Sequence, residues 1–226
     1  MVAQVWIGGR SSSVETAARW VSSYFDEGAN RAAAAAKRGR PFAYPAYDRM
    51  VTGSGPDELN GGDLIAPVLL NAGPTIAAFY SLQSVLPTLE SGLAAVPPHL
   101  TLQSAVRDGR HLPLIEGLIG LLDTPGAIPG VRLTTLAKIL HRKRPLFIPL
   151  FDRRVKACYH GLGDRYPMHP MAGRTDATFF STLAECMVDD INRQPDLWTA
   201  LVSQAPDGTS LLRVLDVVAW NLGRND

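Results

Sequence analysis

Residues 128–163 read IPGVRLTTLAKILHRKRPLFIPLFDRRVKACYHGLG, and this stretch decides what fold to expect of the whole chain. Ile128-Pro129-Gly130-Val131 makes a compact turn, and Leu133, Leu136, Ala137 and Leu140 behind it follow helical spacing. Ile115, Leu118, Ile119 and Leu122 repeat that spacing upstream, so a helix is predicted on each side of the turn. Pro145 and Pro149 exclude helix for a few residues, since proline lacks an amide N–H and restricts the residue before it. Asp152 then opens a third helix carrying Phe151, Val155, Tyr159 and Leu162 on one side. A carboxylate there suits the positive end of the helix dipole.

Working outward, the periodicity predicts helices in both directions. Ser11 to about Arg38 is helical with a break near Gly28, Ser12 or Ser13 offering a capping oxygen. Residues 39–62 are a loop rich in Gly, Pro and aromatics, long enough to have a function. Tyr44 and Tyr47 in it can stack on a base or pin the loop to the core. Asp63–Ala72 reads as a short buried helix. Thr75–Leu93 (broken or kinked at Pro87), Leu100–Arg107 and Leu112–Leu122 follow it. Beyond a polar loop at Asp164–Thr175, helices are predicted over 176–193, 195–203 and 210–222, with Trp220 in the core and Asp216 paired to an arginine. Strand-like alternation stops at Val2–Ile7, so the architecture is all-α. Three groupings are expected: residues 1–62 packing with the C-terminal bundle, 63–150 as a central bundle, and 151–226 as the C-terminal bundle.

Composition sets the outer limits. With 226 residues, 46% hydrophobic and 19% charged, the chain can bury a sizeable core. It has no apolar run of membrane-spanning length and no basic, apolar start of the secretory kind. Two cysteines give no disulfide framework, and a reducing cytoplasm is the expected compartment. The five histidines lack metal-ligand spacing, so no metal site is expected, and His141, among arginines, is expected to face phosphate or solvent. Net charge is only +1, yet 8 of the 22 basic residues fall within residues 132–156, against the single acid Asp152. Such a run is either a phosphate-backbone footprint or a solvated helix face.

The central stretch resembles the helix-hairpin-helix DNA glycosylase superfamily over about 36 of the 226 residues. The family's Leu-Pro-Gly-Val-Gly hairpin, followed by x-x-Thr-Ala, is matched by Ile128-Pro129-Gly130-Val131-Arg132, then Thr135-Leu136. Its aspartate is matched by Asp152, 20 residues after Arg132, and its closing Arg-Leu-Gly by Gly161-Leu162-Gly163. Arg132 stands where the family has its second hairpin glycine. The resemblance implies a helix-hairpin-helix glycosylase-like fold, two interleaved helical bundles with a cleft between them. It further implies a monomer that binds double-stranded DNA, extrudes a base and excises it. Bifunctional members carry a Schiff-base lysine two residues after the hairpin; Thr134 occupies that place, which implies monofunctional chemistry with water as nucleophile. Cys158 and Cys186 fall short of the four ligands of an iron-sulfur cluster, so no cofactor is expected. Asn71 lies roughly where the family has a Gln-Gln-Thr element entering the DNA near the extruded base.

For such chemistry one carboxylate suffices, because breaking the base–sugar bond develops positive charge on the deoxyribose. Asp152 is the candidate; its plainer role is a helix N-cap. Pro129, Gly130, Val131, Arg132, Thr135, Lys138, Arg142, Lys143, Arg144, Arg153 and Arg154 are the expected DNA contacts, with Tyr44, Tyr47 and Asn71 lining the substrate pocket. The rival readings are a non-catalytic hairpin protein that binds DNA and a helical protein acting on a nucleoside-like small molecule.

Overall fold

A computed structural model describes residues 3–37, 39, 41–160 and 173–225. The Gly161-Leu162-Gly163 match and most of the predicted polar loop lie outside them.

The chain begins with a small antiparallel hairpin, β1 (Gln4–Ile7) and β2 (Arg10–Ser13), in which Val5 faces Ser12. Ser13 ends β2 and caps α1 (Val14–Phe25) by accepting from the Thr16 amide. The next break falls at Asp26, two residues before Gly28, because Asp26 both ends α1 and caps α2 (Glu27–Ala35). After the aromatic loop, Asn60 and Asp63 form a reciprocal capping box on α3 (Gly61–Ile65), which tightens into a 3-10 turn over Ala66–Leu70. α4 (Ile76–Ser84) and α5 (Leu86–Ala94) divide at Val85, with Pro87 in the first turn of α5, where its missing N–H does no harm. α6 (Leu102–Asp108) and α7 (Leu112–Ile119) lead to the Ile128–Val131 turn and α8 (Leu133–Lys143). α9 (Arg153–Tyr159), α10 (Asp176–Arg193), α11 (Pro195–Val202) and α12 (Leu211–Leu222) complete the all-α architecture.

α1 packs on α11 and α12, α7 on α10, and α9 on α12, so the two ends of the chain close over its middle. One apolar cluster runs through the molecule from Val5 to Leu222. Two glycines permit the closest approaches, both to α9. A Cβ on Gly8 would sit inside the carbonyl of Cys158, and one on Gly223 inside the carbonyl of Arg154. The Gly9 amide adds a hydrogen bond to the same Cys158 carbonyl at 3.0 Å. Among the described residues no helix is long and apolar enough to cross a membrane.

Candidate active site

The site is built from the start of α9. Phe147, Ile148, Leu150 and Phe151 are buried in a connector that begins with a turn on the Arg144 carbonyl and delivers Asp152 to the helix N-terminus in extended backbone conformation. Asp152 Oδ1 accepts from the Arg154 amide at 2.8 Å and the Val155 amide at 3.1 Å. Its other oxygen, Oδ2, lies 3.8 Å from Lys138 Nζ. Lys138 projects from the middle of α8 with its stem buried, and Nζ donates to the Leu70 carbonyl at 3.2 Å. Thr135, one turn earlier, donates to the Ala72 carbonyl at 2.9 Å. The hairpin helix thereby holds the segment around Asn71, a non-glycine residue in the left-handed region (φ 54°), at the rim. The cavity above Asp152 has a volume of about 470 Å³ and is bounded by Phe42, Asn71, Lys138, Arg154, Asp216 and Trp220 among others.

The opposite wall belongs to α12. Arg213 Nη1 donates to Asp216 Oδ2 at 2.5 Å, while Nε and Nη2 donate to the two oxygens of Asp48 at 2.6 and 3.1 Å. Nη2 also donates to the Tyr24 hydroxyl. Burial pushes Asp216 up to about 6; Arg213 pulls it down and the Asp152 charge adds to the rise. Burial likewise holds Lys138 below the ordinary lysine value, against the upward pull of Asp216 and Asp152. Among the described residues no three His, Cys, Asp or Glu side chains gather as metal ligands would.

The basic run is turned inward. Arg142 donates to the carbonyls of Tyr47 and Met50, the latter at 2.6 Å. Lys143 Nζ donates to Ser54 Oγ at 2.8 Å and pairs with Asp63 at 3.2 Å. Arg144 donates to the carbonyls of Val96, Pro56 and Leu93 and to the Asp57 carboxylate. Burial alone would raise Asp63, but hydrogen bonds from Ser54, Asn60 and Thr52, and the Lys143 charge, bring it below the ordinary carboxylate value. Phosphate is therefore not what these three cations meet: they fix the 39–62 loop to α8. Lys138 belongs to the cavity for the same reason of burial. Tyr44 and Tyr47 are buried too; Tyr47 donates to the Lys138 carbonyl at 2.7 Å, so both aromatics pin the loop.

The other expected contacts divide. Pro129, Gly130 and Arg132 are exposed at the turn, with Val131 half-buried. Gly130 has φ 79° and needs its bare backbone, whereas Arg132 has φ −111° and tolerates a side chain. Arg153 is exposed; Arg154 instead stacks its guanidinium 3.8 Å from the Trp220 ring centre. Trp220 is therefore cavity wall, not core. His141 does not face solvent: its Nδ1 lies 2.7 Å from the Ile148 carbonyl, and burial depresses it to about 4. Sequence reasoning missed Tyr24 as a cavity residue, and it placed Phe42 at a ligand only within an aromatic lid over residues 41–47 in the small-molecule reading. It noted the pairing of Asp216 with an arginine without seeing that the pair faces Asp152.

Residues 17–223 match the family of unknown function DUF6308, and the chain belongs to that family. No curated protein and no solved structure matches it.

Proposed function

We propose that this member of the DUF6308 family binds double-stranded DNA, takes one base into the cavity above Asp152 and hydrolyses its N-glycosidic bond without a lyase step. On this reading the all-α fold is of the helix-hairpin-helix glycosylase type, with its cleft between two interleaved bundles. The observation that carries it is the placement of Asp152. The carboxylate caps α9, meets Lys138 from the hairpin helix, and borders a cavity of small-molecule size, at the spacing from the hairpin that the glycosylase resemblance requires. As the base departs, positive charge grows on the sugar. A fixed carboxylate beside it stabilises that charge and orients water for attack at C1′. The exposed turn Pro129–Gly130, with Arg132 and Arg153, would meet the phosphate backbone.

A second reading has its own support. With Arg142, Lys143 and Arg144 committed to the interior, less basic surface is left for a duplex, which favours a free nucleoside in the same cavity. One panel separates the two: duplexes carrying single modified bases, the matching free nucleosides, and Asp152→Asn alongside. Base release from duplexes alone, lost in the mutant, supports the glycosylase. Release from nucleosides alone supports the small-molecule enzyme, and salt-sensitive binding without release supports a non-catalytic DNA-binding protein.

A further inference from the structure

The cavity holds two carboxylates in unlike surroundings, Asp152 at the start of α9 and Asp216 on the facing α12. Asp216 is nine-tenths buried, on a helix whose neighbouring residues Val214, Leu215, Val217 and Val218 are apolar core. Its Oδ2 is held by Arg213, and among the described residues no protein donor reaches its other oxygen. Arg213 in turn gives two of its N–H groups to Asp48 and another to Tyr24. From α8, Lys138 sits beside Asp152 and draws on both carboxylates. Arg154 and Arg224 line the same cavity, stacked on Trp220.

The charges that act on Asp216 are those of Arg213, Asp152, Lys138 and Asp48. Arg213 divides its N–H groups between Asp48 and Asp216, and Lys138 sits beside Asp152, so Asp216 has no cation of its own. A buried carboxyl set across a cavity from a second carboxylate is a usual basis for a general acid.

We propose that Asp216 is the general acid of the excision reaction, protonating the departing base while Asp152 faces the sugar. This rests on the base-excision reading and adds the identity of the proton donor. In the step, the C1′–N bond breaks and its electron pair goes to the base, which takes the Asp216 proton on a ring nitrogen or oxygen. Water adds to C1′ and gives its proton to Asp152, from which it passes to solvent, and solvent returns a proton to Asp216. The sum is DNA plus water giving free base and an abasic sugar. Burial, which raises Asp216 to about 6, keeps a useful fraction protonated near neutral pH.

A general acid matters for a neutral leaving group and little for one that already carries positive charge. The test is therefore single-turnover excision from duplexes containing neutral bases (hypoxanthine, uracil) and cationic bases (7-methylguanine, 3-methyladenine). Asp216→Asn should slow the neutral bases by about 100-fold or more and the cationic ones at most a few fold; Asp152→Asn should slow both. The parent's rate on neutral bases should fall as pH rises above about 6, with no such fall for cationic bases, a readout that needs no mutant. Equal losses on both classes in a folded Asp216→Asn protein, or no loss, overturn the acid role while leaving base excision standing; so does the same pH profile for both classes in the parent. A parent inactive on every duplex overturns both.

Discussion

Lys138 and Asp152 come from different helices, yet the lysine amine lies 3.8 Å from the carboxylate, at the floor of one cavity. Asp152 meets two backbone amides with one oxygen and this amine with the other, so both oxygens are held in place. Lys138 gains its second partner, the Leu70 carbonyl, only because α8 holds the 3-10 turn against itself.

Asp152→Asn separates charge from capping. Asparagine caps a helix nearly as well as aspartate, so the cap survives, while the charge lost beside the buried Lys138 ammonium should lower stability by about 1–3 kcal/mol. Base release should fall by about 100-fold or more if the charge stabilises the sugar cation. An active, stable mutant would remove Asp152 from the mechanism.

Replacing Lys143 with Gln should unfold the protein more readily instead of loosening a grip on DNA. The substitution takes the ammonium from the fully buried Asp63, which keeps Arg142 and the donors Thr52, Ser54 and Asn60, so the loss should be about 1–3 kcal/mol. Arg132→Gln and Arg153→Gln, both at exposed positions, should leave melting unchanged and each reduce the salt slope of DNA binding by about 0.9. Denaturant melts and binding titrations over a range of salt would check the contrast.

His141 should give the stability an acid limb. Its folded value is depressed to about 4, below the value of about 6.5 in an unfolded chain. Between those limits the unfolded state binds more protons, so this contribution grows as pH rises from about 4 to 6.5 and is lost on acidification. Asp216, raised to about 6, acts with the opposite sign: its contribution falls as pH rises from about 4 to 6. His141→Gln should therefore make the slope of melting temperature against pH over that window more negative, and Asp216→Asn should make it more positive.

Gly223→Ala should cost about 1–3 kcal/mol, although its φ of −80° is open to any residue. The added methyl meets the Arg154 carbonyl, a backbone atom of α9 that cannot swing aside. Thermal melting would measure the loss, and base release should drop with it because Asp152 begins the same helix. Gly109→Ala, whose Cβ meets no neighbouring atom but whose φ is 67°, gives a comparison in which strain acts alone.

What could be read in advance followed from local rules. The turn at Pro129–Gly130, the cap at Asp152 and most helices depend on residues within a few positions of one another. The fate of Arg142, Lys143 and Arg144 did not. Arg142 and its acceptor Met50 are 92 positions apart, and Lys143 and Ser54 are 89 apart, so a run of cations looks like a solvated face until the loop is laid over it. Asp216 left a fainter trace. Arg213 and Asp216, three apart inside a mostly apolar helix, mark a buried polar pair, and a buried pair needs a reason.

The pressing of β1–β2 and of the turn after α12 onto α9 also bears on the order of assembly. The helix that begins with Asp152 is made well before the segment around Gly223 that braces it, and α12 supplies the wall facing it. Lys138 and Asp152 come from the middle of the chain, and Asp216 and Trp220, which face them, from its last helix. The pocket is therefore complete only once the last helix has docked, so its enclosure and the completion of the fold are one event.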